Sequence, residues 1–128
     1  MVPPRDGEPL TYAVRIATSA GSEIQDEHSR LTAVSGSEIA EDWREGVREA
    51  MRGLATYPER CTIADENRLF LDGVVRQLLY RRKRGPTWRI LFTVHKADEN
   101  DSPTVRVHHV RHGAQFPMTS WPDADGQP

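Results

Sequence analysis

Residues 73–96, "GVVRQLLYRRKRGPTWRILFTVHK", decide how this 128-residue chain is read. The stretch alternates as a strand on either side of a break. On the near side Val74, Arg76, Leu78 and Tyr80 fall on one face, and Val75, Gln77, Leu79 and Arg81 on the other. "KRGP" (83–86) is a turn signal, with Pro86 placed to open the next strand. On the far side Trp88, Ile90, Phe92 and Val94 share one face, and Thr87, Arg89, Leu91 and Thr93 the opposite one. The same stretch carries seven cations (Arg76, Arg81, Arg82, Lys83, Arg84, Arg89 and Lys96) and no acid. The whole chain nevertheless has a net charge of −2.

The asymmetry runs through the chain. Residues 1–70 hold 8 Lys/Arg against 13 Asp/Glu, whereas residues 71–128 hold 9 against 6. Arginine dominates the cations, and its planar fork suits bidentate contacts to phosphate or carboxylate. An oxyanion partner is therefore expected for the second half. The size is that of one domain with a modest core. No apolar run approaches the roughly 20 residues that span a bilayer, and the first ten residues do not read as a secretory signal. A cytoplasmic protein without a membrane partner is the expectation. A single cysteine, Cys61, leaves no internal disulfide, and it reads as a partly buried, inert thiol.

Working outward, "LTYAVRIA" (10–17) reads as a strand with Tyr12, Val14 and Ile16 on one face. A helix is predicted to follow over residues 18–31, with Ser19 as its N-cap and Ala20, Ile24 and Leu31 at helical spacing. Ser35 and Glu38 are spaced as a capping box for the next helix. There Ile39, Trp43, Val47, Ala50, Met51 and Leu54 form one apolar stripe, and Pro58 closes it. Residues 62–73 read as a connector with little regular structure, so Asp65 and Glu66 belong to a solvated loop. "TVRVHHVRH" (104–112) is the last strand. Residues 1–9 are expected to be a disordered leader, 10–117 one domain and 118–128 a flexible tail.

The order is β-α-α-β-β-β. It predicts an α+β fold, an antiparallel sheet with the helical hairpin packed on one face. The opposite face would then be open and lined with arginine and one or two histidines. Such a face can bind a polyanion: arginine stabilises charge on phosphorus, and histidine moves protons near neutral pH. RNA cleavage of this kind uses the 2′-OH as an internal nucleophile and needs no metal. No metal or other cofactor is expected. Along a strand His108 and His112 face the same way about 13 Å apart, with His109 opposite, so one ion cannot collect three of them.

The pieces "YAVRIATSAGSEI" (11–24), "AEDWREGVREAMRGLATYPERC" (40–61), "VRQLLYRRKRGPTWRILFTV" (75–94) and "VRVHHVRHGAQFP" (105–117) resemble the RelE/ParE superfamily of bacterial type II toxins, in its plasmid stabilisation branch. The resemblance implies a toxin neutralised by a cognate antitoxin that covers its basic groove. RelE-like members cut mRNA on the ribosome, and ParE-like members poison DNA gyrase. For the first activity the resemblance implies Arg89 at the scissile phosphate, Arg111 as a second arginine and His112 as general acid or base. Arg76, Arg81, Arg82, Lys83 and Arg84 would bind the RNA backbone. The strand end departs from the RelE-like pattern: Ala114 and Gln115 follow "RHG", and no tyrosine comes after them. That departure is the motive for the ParE-like alternative, with no enzymatic activity. A degenerate module that only binds an antitoxin-like partner is a third reading.

Overall fold

The computed structural model describes residues 11–70, 73–82, 85–96, 102–115 and 117–119. The expected leader, Lys83 and Arg84 of the turn, and residues 120–128 of the expected tail lie outside the described residues. The chain runs β1 (Ala13–Ile16), α1 (Thr18–Ser35), α2 (Ser37–Arg52), β2 (Thr62–Ile63), β3 (Val75–Arg81), β4 (Thr87–His95) and β5 (Thr104–His112). The α+β arrangement is the expected one, and β4 and β5 have the predicted bounds. Among the described residues the strands form one sheet in the order β1-β5-β4-β3-β2. The sheet is mixed rather than wholly antiparallel, because β1 runs parallel to β5. The helical hairpin returns the chain to the far edge, and β3 to β5 then meander back until β5 lies beside β1.

One face of the sheet packs on α2. Trp43, Val47, Met51 and Leu54 meet Trp88, Ile90, Phe92, Val105, Val107 and Tyr12 in the main core. Trp43 and Trp88 touch edge to face at 5.1 Å, a favourable offset for their quadrupoles. Two members of the predicted apolar faces stand at the margin instead: Ile39 and Ile16 are exposed. The outer surface of α2 neutralises itself through Arg44–Glu41, Arg48–Glu45 and Arg52–Glu49 pairs at i,i+3. Such pairs add only tenths of a kcal/mol each.

The hairpin is tighter than the sequence suggests. α1 continues to Ser35, and Gly36 alone joins the helices at φ 96°, in the region that favours glycine. Ser35 is therefore the end of α1 rather than an N-cap, and the Ser35–Glu38 capping box does not form. Ser19 is not a cap either; Ala17 holds that position, and the Ser19 hydroxyl donates to the His108 carbonyl at 2.7 Å. His28 on α1 reaches Glu41 on α2 at 2.8 Å.

The opposite sheet face is not fully open. The connector forms the short β2 and a 3₁₀ helix over Asp65–Leu69 that lies across it. A second small core of Ala64, Val75 and Leu91 gathers there, with Phe70 and Met118 packed against it. Met118 is thus docked, although it belongs to the segment expected to be a tail. Among the described residues no helix is long and apolar enough to cross a membrane.

Gly46 permits the close approach of Tyr80 to α2, since a Cβ there would overlap the Tyr80 hydroxyl. Gly46→Ala is expected to lower stability by about 1–3 kcal/mol through overpacking, read as a shift in the urea midpoint.

Candidate functional site

Arg89 stands at the centre of the connector-side face, and its surroundings are closed. Its Nη1 and Nη2 donate to the two carboxylate oxygens of Glu66 at 3.0 and 2.6 Å, and its Nε to Gln77 Oε1 at 3.0 Å. Glu66 has no exposed surface, and Arg89 is 8% exposed. The expectation that Glu66 sits in a solvated loop is corrected here: the 3₁₀ turn swings it under the connector and onto the guanidinium. Glu66 also accepts from the Met118 amide at 3.0 Å, and Arg68 donates to the Met118 carbonyl at 2.8 Å. Burial opposes ionisation of Glu66. The Arg89 hydrogen bonds, with help from the Met118 amide, outweigh it and bring the carboxyl down to about 2.

Arg111 lies directly across from Arg89 in the β4–β5 register, so the two arginines share this face. Like charges in that position repel, and Glu66 offsets the repulsion. Arg81 extends the same face along β3 and is exposed, beside an exposed Leu79. Arg82 is half-buried. Arg76 points the other way, toward the helix side, as its alternation predicts. It donates to the carbonyls of Glu59 and Cys61 at 3.2 and 2.7 Å, where it ties down the chain before β2. Its role there is structural. Lys96, the last cation of the opening stretch, pairs with Glu59 at 3.2 Å. Cys61 is buried, and burial pushes its thiol up.

His112 does not share a face with Arg89 and Arg111. Its ring packs edge to face on Trp88 at 5.1 Å, on the helix side. Its Nδ1 accepts the Ala114 amide at 3.0 Å, which leaves the proton of the neutral ring on Nε2. Because it ends the strand, His112 borders two openings. One, of about 310 Å³, is lined by Gln77, Leu79, Thr87, Arg89, Gly113 and Ala114 as well. The other, of about 490 Å³, lies toward α1 and includes Glu23, Asp26, Glu27 and Trp88. The sequence-predicted trio is therefore brought to one end of the sheet, but with one member locked in an ion pair and another on the opposite side.

A β-bulge explains the displaced histidines. The β4–β5 register shifts between Leu91 and Phe92, and residue 108 is the extra one on β5. The simple alternation that put His108 and His112 on one face fails at this point. His108, alternating with the core-facing Val107, lies on the connector side near the Phe70 ring and bonds Thr93 Oγ1 at 2.8 Å, and the shift displaces the histidines after it. His109 sits at the sheet edge within 3.2 Å of Glu23 on α1, which also accepts from the Val110 amide at 3.0 Å. Desolvation, with repulsion from Arg106, His109 and His95, drops His108 to about 4.

No family model matches the sequence, and none of the curated proteins matches it. Among solved structures it is similar to a chain of the chromosomal ParDE TA system from P. aeruginosa. The TM-score is 0.59 at 13% identity, and the match covers 80% of this chain and 96% of that one. This chain has a RelE/ParE-like fold. At that identity the likeness lies in the fold, and the side chains of the site must be read on their own. Within this RelE/ParE-like sheet, sequence reasoning missed Glu66 and Gln77, which hydrogen-bond Arg89, and Thr93, which hydrogen-bonds His108. Nothing in "IADENRL" (63–69) marks Glu66 as buried; its only signal is an acid among the residues that a returning connector can place over Arg89.

Two outcomes follow from these environments. Glu66→Ala strands a buried guanidinium and is expected to cost about 3–5 kcal/mol in chemical denaturation. The acid side of the stability profile carries two signatures. Below pH 6.5 the unfolded chain protonates residue 108 while the folded chain resists until about 4, so stability falls as pH drops through that window. Glu66 extends the loss from 4.5 down to about 2. His108→Gln should flatten the first window and leave the second, measured as unfolding midpoint against pH.

Proposed function

We propose that this chain is the toxin of a type II toxin–antitoxin pair, held in check by a cognate antitoxin that covers its cationic sheet surface. We further infer that it acts by binding its target, in the manner of ParE-like members on DNA gyrase, rather than by cutting mRNA. The fold likeness to a ParDE protein supports the first statement. One observation carries the second: Arg89, the residue an RNA-cleaving reading needs at the phosphate, directs three N–H donors to Glu66 and Gln77 and forms a buried ion pair with Glu66. Moving it to a phosphate would leave Glu66 buried and unpaired, a cost of several kcal/mol before any chemistry begins. The positions of Arg111 and His112 on opposite faces favour the same reading, since a charge-stabilising arginine and a proton-transferring histidine must converge on one reacting group.

The surface left for a partner is the exposed part of the β3 end, where Arg81 and Leu79 stand side by side. An acidic, partly apolar segment complements it, and such complementarity governs encounter more than affinity.

Induced expression in a bacterial host, with DNA and RNA followed in the same cells, tests the reading. DNA damage and filamentation with intact mRNA are expected. mRNA cut within codons on ribosomes would instead establish the nuclease, and normal growth with folded protein would leave an antitoxin-binding module. Arg81→Glu is expected to abolish toxicity and to leave the melting temperature within about 2 °C of the parent, because an exposed strand-end charge contributes little to stability.

A further inference from the structure

The strongest feature outside that site is a convergence of three polar atoms beside the bulge. Thr93 Oγ1 on β4 has His95 Nε2 at 2.9 Å and His108 Nε2 at 2.8 Å. Two imidazole nitrogens from neighbouring strands are thus aimed at a single point. Thr93 and His95 lie on β4, and His108 lies on β5 beside the register shift. One ligand is rigid and the other adaptable: His108 is buried among Thr93 and the Phe70 ring, whereas His95 is exposed at the end of β4.

We propose that His95 and His108 form a two-imidazole site for a borderline divalent transition metal such as Zn(II), with the Thr93 hydroxyl and water completing its shell. Neutral imidazole is the ligand type this class of ion selects, at about 2.0–2.1 Å from nitrogen. The charge of Arg106, which acts on His108, repels a dication and limits affinity. Reading β5 by itself hides the site, because its second ligand comes from β4.

The alternative is a closed hydrogen-bond chain, in which the Thr93 hydroxyl donates to one ring and accepts from the other. Titration of the full chain with Zn(II) by calorimetry separates the two. The site predicts saturable binding of one ion per chain, weakened at least about tenfold, or roughly 1.4 kcal/mol, in His95→Gln. His28→Gln, on the helical hairpin, is expected to leave it unchanged. His95 is exposed, so that variant keeps its fold, checked by an unaltered melting temperature without metal. Titration with Ni(II) should broaden the imidazole NMR signals of His95 and His108 before those of His28 and His112. No saturable binding, or equal affinity in His95→Gln, overturns the proposal in favour of the hydrogen-bond chain.

Discussion

The Arg89–Glu66 pair ties together three parts of the chain that are distant in sequence. Arg89 belongs to a central strand, Glu66 to the connector, and Met118 to the segment after the last strand; one carboxylate holds all three. A buried charge is tolerated only when it is paired and hydrogen-bonded, so this arrangement is close to all-or-none. With it, the connector lies flat on the sheet and a second small core closes over Val75 and Leu91. The face that would otherwise be an uninterrupted arginine surface becomes a half-covered one.

The second organising feature is the bulge in β5. It turns over the side chains that follow His108, and it coincides with the point where β1 stops covering the β5 edge at Val107. From there α1 takes over the task with side chains: Ser19 on the His108 carbonyl and Glu23 on the Val110 amide. An unprotected edge is a site for unwanted pairing, and a helix packed along it is one way to close it. The bulge therefore sits where edge protection passes from β1 to α1.

These features reshape the functional argument. An acid-free block of seven cations reads as a surface built for a polyanion. In three dimensions its members separate. Arg76 caps carbonyls, Arg89 neutralises a buried acid, Lys96 pairs with Glu59, and Arg81 faces solvent. Among the described residues, what is left for a partner is narrower than the charge count suggests.

The layout was legible in the sequence wherever a local period decides structure. The Trp43 stripe repeats at helical spacing, and the alternation around Trp88 repeats at two, because in both cases one face alone is buried. Those patterns determined the α+β class, the helical hairpin and the bounds of β4 and β5. Tertiary structure alone decided the parallel β1–β5 pairing, the partner of Arg89 and the face of each histidine. The reason is physical: pairing direction depends on how the hairpin returns the chain. An ion pair across 23 residues leaves no trace in local spacing. A single extra residue in β5 inverts every later side chain without changing the composition of the strand.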